Sequence, residues 1–195
     1  PVLFAYTPLL SGDWGAALVI GIPVGILMGR FRYARNFFFD LIYLAANIPL
    51  IVYCSQTDNT RRVAEAMASP LAAECVAVEQ LKEHQLRGRP LVGLGSGVYW
   101  LRLERRIIEL ADRLPAGCRV FVFSTSGWRG QVMADFFQAE LIKHLQRREV
   151  ELLGAWHCPG QDRNFLFKWL HISRGRPNED DIADARAFAA SLKTV

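Results

Sequence analysis

From Ile48 onward, short apolar runs alternate with stretches whose apolar residues recur at helical spacing, which predicts strand and helix in turn. Ile48 to Cys54 reads as a buried parallel strand. Arg61 to Ala68 follows as a helix, with Val63, Ala64, Met67 and Ala68 on one face. Glu74 to Val78 is a short β-branched strand, and a polar connection from Glu79 to Arg89 leads to a third strand, Pro90 to Leu94. Leu101 to Arg113 repeats the helical pattern through Leu103, Ile107, Leu110, Ala111 and Leu114, so it should cover one face of a sheet. Cys118 to Phe123 is a fully apolar fourth strand. Gln131 to Arg148 is a helix expected to bury Met133, Phe136, Phe137, Leu141 and Leu145, and Val150 to Trp156 is the fifth strand. After a long irregular stretch, His157 to Arg176, Pro177-Asn178 and the acidic turn Glu179, Asp180, Asp181 open a last helix running to about Leu192. Strands each followed by a helix or crossover predict an α/β fold, a five-stranded parallel sheet covered on both faces.

Residues 1–47 break this rhythm. Trp14 to Gly29 is uncharged and rich in Gly, Ala, Val and Ile, with Pro23 in its middle, and Arg30, Arg32 and Arg35 follow at once. Joined to Pro1 to Leu10, the stretch reaches the length needed to cross a bilayer, interrupted only by Asp13. The arginines would then mark the cytoplasmic end. Phe37 to Ala46 is too short to span, carries Asp40, and reads as an interfacial or buried helix. The basic residues follow the apolar run instead of preceding it, which argues against a signal peptide.

Composition changes the picture little. A formal charge of +4 over 195 residues is too mild and dispersed for nucleic-acid binding. Cys54, Cys75, Cys118 and Cys158 have no CxxC spacing, so they read as free thiols in a reducing compartment.

Candidate chemistry gathers in three loops, each at the carboxyl end of a strand, where open α/β sheets bind ligands. Ser55, Gln56, Thr57, Asp58, Asn59 and Thr60 lie between the first strand and its helix. Hydroxyls, unpaired N–H groups and the positive helix end make such a turn a phosphate cradle, although the same residue types also serve as ordinary caps. The third strand ends in Gly95, Ser96, Gly97, Val98, Tyr99 and Trp100, and the fourth in Ser124, Thr125, Ser126, Gly127 and Trp128. Gly and Ser let backbone approach a ligand, and the terminal aromatics offer stacking surfaces. Together the loops describe a flat aromatic cofactor with one phosphate tail. No strand is followed by GxGxxG, which argues against a nicotinamide dinucleotide fold.

Two resemblances follow from these stretches. Gly21 to Arg30, Phe39 to Tyr43 and Asn47-Ile48-Pro49 resemble part of an inner-membrane permease subunit of ABC importers of the nitrate, sulfonate and taurine class. About 45 residues are too few for a working permease, so residues 1–47 would be a permease-like remnant, a membrane anchor or an amphipathic helix packed on the following domain. Residues 48–195 resemble a flavodoxin, through Ile51 to Thr60, Val92 to Tyr99, Phe121 to Gly127, Cys158-Pro159-Gly160 and Gly175 to Asn178. That resemblance implies a three-layer sandwich with strand order 2-1-3-4-5, carrying the N-terminal hydrophobic helical extension. It also implies bound FMN, with the phosphate on Ser55, Thr57, Asn59, Thr60 and their amides, and the ring between Tyr99 and Trp128. Backbone of Gly95 to Val98 and of Ser126 to Gly127 would meet the ring's polar edge, with Gly95 and Gly97 giving freedom for a peptide flip. Asp58 stands where the family usually has Gly.

The expected function is electron transfer with a redox partner protein in the cytoplasm, at the inner face of the membrane if residues 1–47 anchor the chain. A quinone or heme-precursor reductase is the alternative, with His157, Arg163, Lys168, His171 and Arg174 lining an anionic substrate site or simply solvated. A cofactor-free interaction module is a third reading, supported by Asp58.

Overall fold

The computed structural model describes residues 48–128, 130–160 and 175–193. The expectations for residues 1–47, and for Arg163, Lys168, His171 and Arg174, lie outside the described residues. Among the described residues, no helix is long and apolar enough to cross a membrane.

Among the described residues, six strands and four α-helices, with a 3-10 turn at Glu83–Leu86, make up the fold: β1 (Leu50–Cys54), α1 (Asn59–Leu71), β2 (Glu74–Ala77), β3 (Val92–Tyr99), β4 (Arg102–Leu103), α2 (Arg105–Ala111), β5 (Arg119–Ser126), α3 (Gln131–Arg147), β6 (Glu151–Pro159) and α4 (Glu179–Ser191). The main sheet is parallel throughout, in the order β2-β1-β3-β5-β6, while β4 folds back antiparallel on the end of β3. Setting aside that two-residue strand, which the sequence pattern missed, the order is the flavodoxin-like one.

Alternation along the strands divides the core in two. Leu50, Val52, Val92, Leu94, Val120 and Val122 point to the face covered by α2 and α3, where Ile107, Leu110, Phe137, Leu141 and Leu145 meet them. Ile51, Phe121 and Phe123 point to the other face, beneath Val63 and Met67 of α1 and Ile182, Ala185 and Ala189 of α4. On that face β3 presents Gly93 and Gly95, and the rings of Phe121 and Phe123 lie across them so closely that a Cβ at either glycine would collide with a ring. The glycines let two fully buried aromatics fill the space between sheet and helices.

Several boundaries differ from the sequence reading for one reason. β3, β5 and β6 continue past the apolar residues that predicted them, through Gly95 to Tyr99, Ser124 to Ser126 and His157 to Pro159. Polarity does not end these strands, because each buried hydroxyl is hydrogen-bonded within the fold: Ser96 donates to the Gly97 carbonyl and accepts the Glu104 amide, Thr125 meets Thr60, and Ser124 meets His157. Gly95 and Gly97 are therefore paired strand residues, where the sequence pattern predicted a free loop. Leu103 belongs to β4, so α2 begins later than Leu101. Phe136, expected inside, stands exposed on α3, while its neighbour Phe137 is buried. The last helix starts as its sequence indicates: the Asn178 side chain accepts the Asp181 amide at 3.0 Å and the Asp181 carboxylate accepts the Asn178 amide at 2.9 Å.

Candidate functional site

From β1 the strand order runs one way to β2 and the other way to β3, so the carboxyl ends of β1 and β3 form the topological switch point. The turn Ser55–Thr60 sits there. Asp58 is the N-cap of α1 in the left-handed region, at φ 60° and ψ −5°, and its side chain makes no cap bond. Its carboxylate is turned to solvent, 4.0 Å from the Arg61 guanidinium. Thr60 is buried, and its hydroxyl shares a 2.8 Å hydrogen bond with that of Thr125, tying the turn to the end of β5. Ser55 differs from both. Its Oγ is shut away from water and meets no hydrogen-bond partner among the described residues. A buried hydroxyl without a partner is costly, on the order of 1–3 kcal/mol, and needs an explanation.

Tyr99, the last residue of β3, reaches back over Gly97 to the same turn, and its hydroxyl accepts the Gln56 amide at 2.8 Å. A Cβ on Gly97 would strike that ring. Burial pushes the Tyr99 phenol upward, and the amide it accepts pulls partly the other way. The hydroxyl therefore occupies one of the turn's backbone amides.

Beyond Tyr99 the chain turns within two residues. Trp100 at φ 52° and Leu101 at φ 65° form the tip of the β3–β4 hairpin, with Tyr99 opposite Arg102. Two successive left-handed residues are what a two-residue hairpin demands, yet Asn-Gly would normally supply them. Trp100 and Leu101 hold this conformation at a cost of about 1–2 kcal/mol each, and Trp100 is 87% exposed. Trp128, after β5, is 46% exposed.

The loop carrying Trp128 is anchored from three sides. The Ser126 carbonyl accepts the Gly160 amide at 2.6 Å. Ser126 Oγ accepts the Trp128 amide and donates to the Trp128 carbonyl, both at 3.2 Å. His157 Nε2 also reaches that carbonyl at 3.2 Å, while its Nδ1 lies 2.9 Å from Ser124 Oγ. Burial lowers the His157 pKa from its ordinary value of 6.5, opposed by the bond to Trp128. The alternative that placed His157 in a loop facing an anionic substrate is thereby corrected: it is a strand residue bonded beneath the β5 loop. Sequence reading missed it because the fifth strand was ended at Trp156; the register Ser124↔His157 shows the strand continuing. Gln138 was missed too, and Gly160, quoted in the flavodoxin resemblance, had no role assigned to it. Gln138 is a buried amide inside an otherwise amphipathic helix, and that placement was the signal available.

Two of these bonds join the three predicted stretches, Gln56 with Tyr99 and Thr60 with Thr125, and the Gly160 amide ties the third to the end of β6. Gln56, Thr57 and Asn59 lie along the turn, and Ser96 and Val98 belong to β3, where Ser96 binds the Glu104 amide that leads into α2. Thr60 and Ser96 hold the frame together. Among the described residues, Ser55 Oγ is the buried side-chain oxygen without a hydrogen-bond partner. Among the described residues no cluster of His, Cys, Asp and Glu could hold a metal ion. The four thiols are free, and burial pushes Cys54, Cys75 and Cys118 to about 11 and Cys158 to about 12. None is primed as a nucleophile.

No family model matches the chain. It is 30% identical over 146 residues to the uncharacterized protein MJ0298 of Methanocaldococcus jannaschii, which covers 73% of this chain and 96% of that protein. Among solved structures, Flavodoxin 2 from Bacillus cereus superimposes with a TM-score of 0.57 at 18% identity, covering 76% of this chain and 99% of that one. A flavodoxin from the domain Archaea gives 0.56 at 13% identity, with 75% and 96% covered. Rubredoxin oxygen:oxidoreductase from Desulfovibrio gigas gives 0.56 at 14% identity, with 76% of this chain matched to 36% of that larger one. At these identities the likeness is one of fold, and the fold is flavodoxin-like.

Proposed function

We propose that this chain, which belongs to the same family as protein MJ0298 of Methanocaldococcus jannaschii and has the flavodoxin-like fold, binds FMN and passes electrons to a partner protein. The observation that carries the reading is Ser55: a buried hydroxyl without a partner, in a hydroxyl-rich turn at a helix N-terminus, at the switch point of a parallel sheet. A phosphate oxygen would satisfy it.

The residues present fit the group. Ser55, Thr57, Asn59 and the turn's amides would hold the phosphate, while Thr60 keeps the turn fixed to β5. Tyr99 would have to release the Gln56 amide, and its ring would then be available for stacking. Trp100 and Trp128 are exposed indoles at the tips of the two flanking loops, and each stacking contact would contribute about 0.5–1.5 kcal/mol beyond burial. When bound, FMN supplies reversible one- and two-electron chemistry. The protein's part is to hold the phosphate, order the loops and leave an edge open to the partner. A dispersed charge of +4 gives no strong electrostatic steering, so docking would rest on the exposed aromatic tips. The cytoplasm is the compartment proposed, in keeping with four free thiols; membrane attachment through residues 1–47 remains a separate proposal.

His157 is engaged by Ser124, Ser126 and Trp128, which withdraws one side chain from the anionic substrate site of the reductase reading. Reconstitution of the purified full chain with FMN tests the proposal. A yellow protein with quenched flavin fluorescence, reduced in two resolved one-electron steps, is expected. Rapid NAD(P)H oxidation with a single two-electron step would favour the reductase, and protein that stays colourless with excess FMN would leave the interaction module.

A further inference from the structure

The hydrogens beneath the β5 loop can be assigned from the two ends of the network, because both ends are backbone carbonyls and a carbonyl only accepts. At one end Gln138 Nε2 lies 2.8 Å from the Trp156 carbonyl and 2.8 Å from Ser124 Oγ. The amide nitrogen, not the oxygen, must therefore face both, and Ser124 accepts one of its hydrogens. Ser124 is fully buried, so its own hydrogen needs an acceptor, and His157 Nδ1 at 2.9 Å provides it. Nδ1 then carries no proton. At the other end His157 Nε2 faces the Trp128 carbonyl at 3.2 Å and Ser126 Oγ at 3.2 Å. An unprotonated Nε2 would set a lone pair against a carbonyl oxygen, so this nitrogen carries the ring's one hydrogen. Ser126 completes the circuit, donating to the Trp128 carbonyl while accepting the Trp128 amide. Ser124, His157 and Ser126 each find a donor or acceptor role in these bonds under a single tautomer.

We propose that His157 is the positioning residue of the candidate flavin site: a neutral imidazole, protonated on Nε2 alone, whose single N–H holds the Trp128 carbonyl and so fixes that indole at the rim. The relay runs from α3 (Gln138) through β5 (Ser124) and β6 (His157) to the loop, so three elements of the scaffold act on one loop residue. Ser126 is itself held to β6 by the Gly160 amide, and its side chain closes a local turn onto Trp128; His157 adds a direct bond from β6 to the Trp128 carbonyl, two residues farther out. The consequence for flavin affinity rests on the proposed function; the tautomer and the restraint on Trp128 do not.

The experiment is therefore staged on the full chain. Side-chain 15N resonances of His157 without FMN are expected to show one protonated nitrogen, Nε2, with Nδ1 as an acceptor. A protonated Nδ1, or averaging between tautomers, would overturn the proposal. Backbone order parameters at Trp128 are then compared in His157→Leu, which keeps bulk but donates nothing, and His157→Gln, whose amide can still donate to the carbonyl. Loss of order in the leucine variant with retention in the glutamine variant is expected, and equal order in both would overturn it. If the leucine variant does not fold, Ser124→Ala, which removes the donor to Nδ1, should shift the tautomer signals; unchanged signals would count against the relay. Finally, FMN affinity should fall about ten-fold in the leucine variant and by no more than about three-fold in the glutamine variant. Equal losses would contradict the positioning role, while failure of the wild type to bind FMN would sink the flavin reading and leave the first two measurements to judge His157.

Discussion

At the residue scale, Asp58 and His157 hold opposite kinds of tension. Asp58 occupies a left-handed cap at φ 60°, the conformation that makes Gly the usual choice. Strain of about 1–2 kcal/mol opposes it. Before a ligand arrives, a carboxylate at a helix N-terminus offsets part of this by about 0.3–1 kcal/mol. Once phosphate is bound, the same charge becomes a repulsion, screened because the side chain faces solvent. Asp58→Gly is accordingly expected to leave the ligand-free unfolding midpoint nearly unchanged and to tighten FMN binding roughly two- to five-fold by fluorescence titration. Weaker binding would contradict this account of the turn. His157 is held neutral. Among the described residues, the groups hydrogen-bonded to its ring are Ser124 and Ser126 from β5 and the Trp128 carbonyl, with Gln138 of α3 behind Ser124, and none of these is charged. Its folded pKa lies below the ordinary 6.5, so the unfolded chain binds the proton more readily and stability is lost as pH falls below about 6.5 toward the folded value. Urea titrations of wild type and His157→Gln between pH 7 and pH 5 should show the wild type losing more stability on acidification. Parallel curves would show that His157 does not titrate this way.

At the scale of elements, the β3–β4 hairpin is where local preference and observed conformation disagree most. Helical spacing from Leu103 onward was legible, but nothing in Trp100-Leu101 announces a two-residue turn, because neither residue favours positive φ. Such strain survives where surrounding structure imposes it and recurs at functional sites. Replacing the pair by Asn-Gly (Trp100→Asn with Leu101→Gly) is expected to raise stability by about 1–2 kcal/mol, measured by urea unfolding, while FMN affinity falls because an exposed indole is lost. A gain in both would remove the functional reason for the strain. β3 and β5 teach the complementary lesson. Their apolar halves were readable, whereas Gly95 to Tyr99 and Ser124 to Ser126 looked like loops, since whether a glycine or hydroxyl is inside a strand depends on a neighbouring ring or partner that one sequence does not display. Phe136 was placed inside by spacing alone, and the face that α3 presents to β5 and β6 selects Phe137 instead.

At the scale of the molecule, strand order followed from alternation and family resemblance, because parallel strands joined by helices leave few arrangements and each strand's apolar run is long enough to mark it. The three candidate stretches were legible as residues, and two of them carry their chemistry in bonds unseen from sequence: Tyr99 on the Gln56 amide, His157 on the Trp128 carbonyl. What joins all scales is the claim that the turn after β1 is a phosphate site centred on Ser55. Titrating the full chain with FMN and with riboflavin, which differs only in lacking the phosphate, tests it most directly, alongside Ser55→Ala. The account predicts that FMN binds at least about a hundred-fold more tightly than riboflavin, and that Ser55→Ala weakens FMN several-fold while leaving riboflavin unchanged. Equal affinity for the two flavins, or a Ser55→Ala variant that binds FMN like wild type, would contradict it.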